Sequence, residues 1–316
     1  MKKIFLLACS LSAFFMNAQQ MPLFSQYLNN DFLLNPAVAG TKSYTQASAS
    51  VRLQWAGFSG APNAQIGSVH GAMTKNAGIG LAVMNSTAGP TKMTSAQFVY
   101  AYRLNINDKI KISFGLAPMI IQHSIAKDKI TLEDVNDNTF NRLNGKTMIA
   151  DLNAGVIVYG SNWVGSFSVP QVMENKFRLG DDLFKEKLKR HYIIYGAHDF
   201  PLKDKKYVIT PSALIKAIEG GGPVQFDINA KATYNNLFWA GLSYRSSTGL
   251  SFNEAAVIFA GIQKYNFAFG YAFDYSFSAM RSYCAGSHEV FLTYKIPCKN
   301  CDKVNVTPDV TPKEAQ

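Results

Sequence analysis

Few side chains in this 316-residue chain stand at spacings that do chemistry. Cys298 and Cys301 form a C-x-x-C pair, which can be a local disulfide, a redox couple or half of a zinc site. Zinc would need two further ligands close by, and none follows, so the pair reads as a possible disulfide. Cys284 is left over, as a free thiol or the donor of an intermolecular bond. The histidines His70, His123, His191, His198 and His288 are scattered, without an H-E-x-x-H run or any paired metal spacing. His198-Asp199 could evoke a hydrolase dyad, but consecutive strand residues point to opposite faces. Gly78-x-Gly80 lacks the third glycine and following helix of a phosphate loop, so small residues packing in a strand explain it better. The expectation is a protein that is not an enzyme, with no catalytic residue, cofactor or metal.

The elements that position these residues follow from composition. The chain is 47% hydrophobic and 13% aromatic, with 22 Phe and 15 Tyr, yet only 16% charged, against about 25% for ordinary soluble domains. After the N-terminus no apolar run reaches the roughly 18 residues of a spanning helix. An all-β protein remains, either a secreted sandwich or an outer-membrane barrel. Lys2 and Lys3, the apolar stretch Ile4 to Met16 and Asn17-Ala18 make residues 1–18 an export signal. Leu6-Leu7-Ala8-Cys9 resembles a lipobox, but the apolar run continues past Cys9, which argues against a lipid anchor. Without Lys2 and Lys3 the formal net charge of +10 becomes +8, since the signal holds no acidic residue. The remaining lysines are spread over turns (Lys75, Lys109, Lys203, Lys205, Lys206, Lys264), which gives nucleic acid no focused patch.

Beyond residue 43 the sequence divides into segments of period-2 patterning. From Phe267 to Phe277 the aromatics take one face and Ala268, Gly270, Ala272, Asp274 and Ser276 the other. From Val224 to Tyr234 the apolar residues alternate with Gln225, Asp227, Asn229, Lys231 and Thr233, as for a strand between lipid and a wet lumen. Fourteen strands are expected, at 44–53, 65–74, 78–86, 93–105, 109–122, 149–159, 162–170, 190–202, 206–217, 224–235, 237–247, 255–264, 265–277 and 286–296. Tight turns such as Lys75-Asn76-Ala77, Lys203-Asp204-Lys205 and Asn235-Asn236 alternate with longer connections, including 123–148 and 171–189. Short periplasmic turns, long external loops and an even strand count are those of a transmembrane antiparallel β-barrel, and put both termini in the periplasm. The organisation is a signal peptide at 1–18, a periplasmic leader at 19–43, an outer-membrane barrel at 44–296 and a periplasmic tail at 297–316. The polar lumen face alone would allow an outer-membrane channel for small solutes.

Several segments carry a resemblance. They are Phe24-Ser25-Gln26-Tyr27-Leu28, Asn35-Pro36-Ala37-Val38-Ala39-Gly40 and Arg52-Leu53-Gln54-Trp55, then Tyr100-Ala101-Tyr102-Arg103 and Ser113-Phe114-Gly115-Leu116. Further on come Pro211-Ser212, the run Trp239 to Arg245, the run Gly270 to Tyr275 and Gly286-Ser287-His288-Glu289. In this order they resemble the PorP/SprF family of outer-membrane proteins of type IX secretion. The resemblance implies a barrel that helps to export, retain or display surface proteins, including adhesins used in gliding. It also implies periplasmic and outer-membrane secretion components as partners, beside the lipid bilayer. Asn35, Pro36, Gly40, Arg52, Gln54 and Trp55 are its candidate partner-contact or motif residues. By their own chemistry, Asn35-Pro36-Ala37 is a turn that redirects the leader toward the first strand. Arg52 would face water and Trp55 join an interfacial girdle, with docking of a partner as the functional reading. Cys298, Cys301 and the tail lie beyond the resemblance.

Overall fold

The computed structural model describes residues 24–130, 145–178, 185–202, 206–248 and 253–298. The export signal, Cys301 and the rest of the tail, the turn Lys203-Asp204-Lys205 and the loop residues Asp181 and Asp182 lie outside them. The strands are β1 (Tyr44–Leu53), β2 (Asn63–Ala72), β3 (Ala77–Ala88), β4 (Thr91–Asn105), β5 (Lys111–Ile125), β6 (Lys146–Tyr159) and β7 (Trp163–Val169). A small hairpin, β8 (Lys176–Arg178) and β9 (Lys185–Lys187), stands apart in the connection that follows. Then come β10 (His191–His198), β11 (Phe200–Pro201), β12 (Tyr207–Ile218), β13 (Gln225–Tyr234), β14 (Phe238–Ser247), β15 (Asn253–Lys264), β16 (Phe267–Ser276) and β17 (Ser287–Pro297).

Each strand pairs antiparallel with its chain neighbour, β1 pairs with β17, and β10 pairs with both β7 and β12, so the sheet closes. β10 and β11 are two parts of one strand broken at Asp199, which makes fourteen staves among the described residues. The expected 44–53 coincides with β1, and the other boundaries move by a few residues. β6 moves the most at its start, to Lys146, because its pairing with β5 continues to Ser124.

Alternation decides which face each residue takes. On β13 Ile228 is 65% exposed on the outside while its neighbour Asp227 is 0% exposed inside. On β16 Phe267, Phe269, Tyr271 and Tyr275 form an exposed outer stripe, and Ala268, Ala272 and Asp274 are buried. An apolar outer surface of this extent is unfavourable in water and suits a bilayer. No helix of the described residues is long and apolar enough to cross a membrane.

The two ends differ. Short connections such as 73–76, 160–162 and 265–266 gather at one end, and 54–62, 126–145, 170–190 and 277–286 at the other. Gly89-Pro90 is the one tight connection at the long-loop end among the described residues. At the short end Asn235 and Asn236 have φ of 50° and 52°, and Leu237 N–H donates to Tyr234 O at 2.9 Å. This is the type I′ geometry that matches the strands' twist.

Two expectations about the interior are corrected. Gln225, Asp227 and Asn229 do not line a wet lumen, for each is buried against other protein groups. What covers them is the leader. Phe24 to Ser43 run inside the barrel as three single 3-10 turns, Ser25–Leu28, Asp31–Leu33 and Pro36–Val38, and none of these residues is exposed. Phe24 packs with Ala64, Met93 and Leu188 toward the long-loop end, whereas Tyr44 pairs with Pro297 at the short-turn end. The described leader therefore crosses the lumen instead of resting outside it. Its apolar residues follow neither a period of 2 nor 3.6, so no buried face could be read from their spacing.

Candidate functional site

The plug is held from the strands inward. Arg52 on β1, Asp274 on β16 and Glu289 on β17 all point into the lumen because each occupies an inward position of its strand. Arg52 Nη2 lies 2.6 Å from Asp274 Oδ2, and Nη1 lies 3.2 Å from Glu289 Oε2. Arg245 on β14 bridges Asp227 at 3.1 Å and Asp274 at 3.2 Å. The leader docks into this lattice through Ser25. Its backbone N–H donates to Glu289 Oε2 at 2.6 Å, and Gln26 N–H donates to Oε1 at 3.0 Å. Ser25 Oγ donates to Asp274 at 2.9 Å and accepts from Arg52 Nη1 at 2.8 Å. Tyr27 continues the contact, its hydroxyl accepting from Asn229 at 2.9 Å. Two arginines thus face three carboxylates, and Lys216 is also buried. A buried lattice of this kind gains little net stability, but removing one member costs about 3–5 kcal/mol because the others stay charged and unmatched.

Further down the lumen Asn35 caps the turn Pro36–Val38. Its Oδ1 accepts from Ala37 N–H at 2.8 Å, while Nδ2 donates to Val156 O, Ser166 Oγ and Phe167 O at 2.9 to 3.0 Å. Ser113 Oγ donates to Ala37 O at 2.8 Å and Ser168 Oγ to Leu34 O at 2.6 Å. Glycines on the facing strands let the backbones meet. A Cβ on Gly115 would strike Ala37, one on Gly155 would strike Asn35, and one on Gly78 would strike Ala39. Gly40 itself has φ +68°, and a Cβ there would lie 2.8 Å from Gly71 O. His70, fully buried, stacks on Phe32 at 4.4 Å and accepts from Gly40 N–H at 3.4 Å.

The structure thus divides the residues singled out from sequence. Asn35, Pro36 and Gly40 lie within the plug. Arg52 does not face water; it is 5% exposed at the plug's upper latch, since its strand position is inward. Gln54 and Trp55 fall past β1 in the loop. There Gln54 N–H donates to Pro62 O at 2.9 Å, and Trp55, with φ +53°, donates its N–H to Ser287 Oγ at 3.1 Å. Cys298 sits in a disulfide, while Cys284 is a half-buried free thiol. His198 leans on Phe200 at 4.3 Å and Asp199 accepts from Thr210 at 2.6 Å, so the two side chains serve opposite faces. Sequence reasoning missed Ser25, Asp227, Arg245, Asp274 and Glu289 as one cluster. The four charged members were signalled as charged residues at inward strand positions, with no indication of what they would meet, and Ser25 in the leader carried no signal.

Space remains beside the leader within the lumen. A cavity of about 150 Å³ opens toward the short-turn end, lined by Asp31, Lys42, Asp199, Lys231, Trp239 and Lys295 among others. Another of about 70 Å³, next to Phe24, Met84 and Met119, lies on the far side of the leader. Among the described residues no group of acidic, histidine and cysteine side chains could hold a metal.

A barrel of this shape is found among solved transport proteins. The chain is similar to a deltaS2S3 mutant of TodX, described as a monoaromatic hydrocarbon channel, at 8% identity over 85% of this chain and 94% of that one, with a TM-score of 0.51. It is also similar to a FadL homologue of Pseudomonas aeruginosa, at 9% identity over 82% of this chain and 92% of that one, with a TM-score of 0.47. At such identity the first of these shows the fold alone. No curated protein sequence matches. A family model described as type IX secretion system membrane protein PorP/SprF matches residues 16–294, which include every segment of the plug-and-wall contact. Of the segments that carry the resemblance in sequence, those holding Ser25, Asn35, Arg52, Ser113, Arg245, Asp274 and Glu289 meet in the lumen, and the chain belongs to the PorP/SprF family of type IX secretion outer-membrane proteins.

Proposed function

We propose that this protein is a plugged, non-enzymatic anchor of type IX secretion. Its long-loop end holds an exported, adhesin-like surface protein, and its short-turn end engages periplasmic and outer-membrane secretion components. The observation that carries this reading is the leader latched in the lumen by Ser25, Arg52, Arg245, Asp274 and Glu289. A solute channel needs a continuous wet path, whereas here the wall groups Asp227, Asn229, Asp274 and Glu289 hold the plug across the lumen. An attachment protein needs the opposite properties: a rigid interior and distinct ends. The pinned outer loops supply one such end, since Ala56 N–H donates to Gly286 O and Ala285 N–H to Ala56 O, each at 2.8 Å. The polar cavity lined by Lys42, Lys231 and Lys295 supplies the other.

Affinity purification from outer membranes, with identification of bound proteins, tests this directly. A surface protein and secretion components should co-purify, and a deletion strain should lose that protein from its surface. A deletion strain with a complete set of surface proteins, and no partner on the purified barrel, would overturn the proposal.

A further inference from the structure

The outer wall over β3 to β6 is stratified toward the long-loop end. Outward positions on β3 pass from Val83 to Asn85 to Thr87, and on β4 from Ala96 to Thr94 to Lys92. On β5 they pass from Ile120 to Gln122 to Ser124, and on β6 from Met148 to Lys146. The register aligns these steps. Asn85 pairs with Thr94 and Thr94 with Gln122; one step on, Thr87 pairs with Lys92, Lys92 with Ser124 and Ser124 with Lys146. Asn85, Thr94 and Gln122 thus form an amide and hydroxyl row across β3 to β5, beside Met148 on β6, and about 7 Å further on the next row sets Lys92 and Lys146 among the hydroxyls of Thr87 and Ser124. Lys92 and Lys146 are both exposed and stand two strands apart, about 10 Å. Lys129 and Asp128 follow in the turn Lys127–Lys129 above them, which is tied down by Ala126 N–H donating to Pro90 O at 2.9 Å.

The external leaflet of a bacterial outer membrane is built from a glycolipid with the same layering: acyl chains, then an amide- and hydroxyl-bearing sugar, then phosphate. We infer that this face seats one phosphorylated glycolipid of that leaflet. Its acyl chains lie on Val83, Phe98 and Ile120, its sugar against Asn85, Thr94 and Gln122, and a phosphate spans Lys92 and Lys146. Thr94 Oγ1 donates to Asn85 Oδ1 at 3.1 Å, so the middle layer is a preformed polar row. The site stands on the outer wall and does not depend on what the lumen does.

Native mass spectrometry of the full-length protein in detergent, titrated with bisphosphorylated lipid A and with the same lipid stripped of phosphate, tests the site. Two lysines at a charged surface correspond to a preference of about 30-fold for the phosphorylated form. Lys92→Ala/Lys146→Ala should lose that preference, and Lys92→Arg/Lys146→Arg should keep it. Lys109→Ala/Lys264→Ala, at the short-turn end, should keep it too. Heat-modifiable migration on gels confirms that each variant is folded. Binding of both lipids by the wild-type protein within about 2-fold, or an alanine pair that retains the preference, would overturn the inference.

Discussion

Replacing Arg52 by alanine removes the cation that holds Asp274 at 2.6 Å and Glu289 at 3.2 Å. Both carboxylates are buried, so the expected cost is about 3–5 kcal/mol, in contrast to the small effect of losing a surface pair. The leader should loosen first, because Ser25 shares the same lattice. Limited proteolysis of the intact protein checks this: Arg52→Ala should be cut within the leader at protease levels that spare the wild type, and equal resistance would contradict it. The glycines give a second, paired test. Gly115→Ala should destabilise the barrel by about 1–3 kcal/mol through overpacking against Ala37, while Gly67→Ala, with open space around it, should change little. Heat-modifiable gel mobility across a temperature series reads both. Arg52 shows what a sequence can and cannot say at this scale. Its inward parity could be read from alternation, but its partners lie on strands 222 and 237 residues away, and only barrel closure unites them.

At the level of elements, the strands were legible because each separates two environments and so alternates. β1 needed no adjustment, and Asn235-Asn236 marked the turn between β13 and β14 by residue type alone. The leader was illegible for the opposite reason: surrounded on all sides, Phe24 to Ser43 carry no periodic face, and their short 3-10 turns have too few residues to show one. The loop carrying β8 and β9 is clamped differently. Lys187 donates to Glu174 at 2.9 Å, Arg190 lies 3.5 Å from it, and together they hold the Glu174 carboxyl below the usual range. A carboxyl whose folded pKa is depressed contributes stability above its unfolded pKa and loses it as pH falls through the folded value. Amide exchange at Leu188, whose N–H donates to Asn175 O at 3.2 Å, should therefore quicken under acid conditions and not on going from neutral to alkaline pH. A rate unaffected by acid, after correction for intrinsic exchange, would remove the clamp.

For the whole molecule, composition and alternation were enough to reach a fourteen-stranded outer-membrane barrel, and the ordered motifs were enough to reach its family. The state of the lumen was beyond them, since a polar inner face is equally suited to water and to a polar plug. Of the inward residues on β13 that suggested a solute path, Asp227 and Asn229 meet Tyr27 of the leader, while Lys231 and Thr233 line the cavity at the short-turn end. A fourteen-stranded barrel is wide enough to conduct unless it is filled, so occupancy of the lumen separates an anchor from a channel. Single-channel recording of the intact protein in planar bilayers measures this most directly. The account predicts silence from the intact protein and openings from Arg52→Ala/Arg245→Ala; large, steady openings from the intact protein would contradict it.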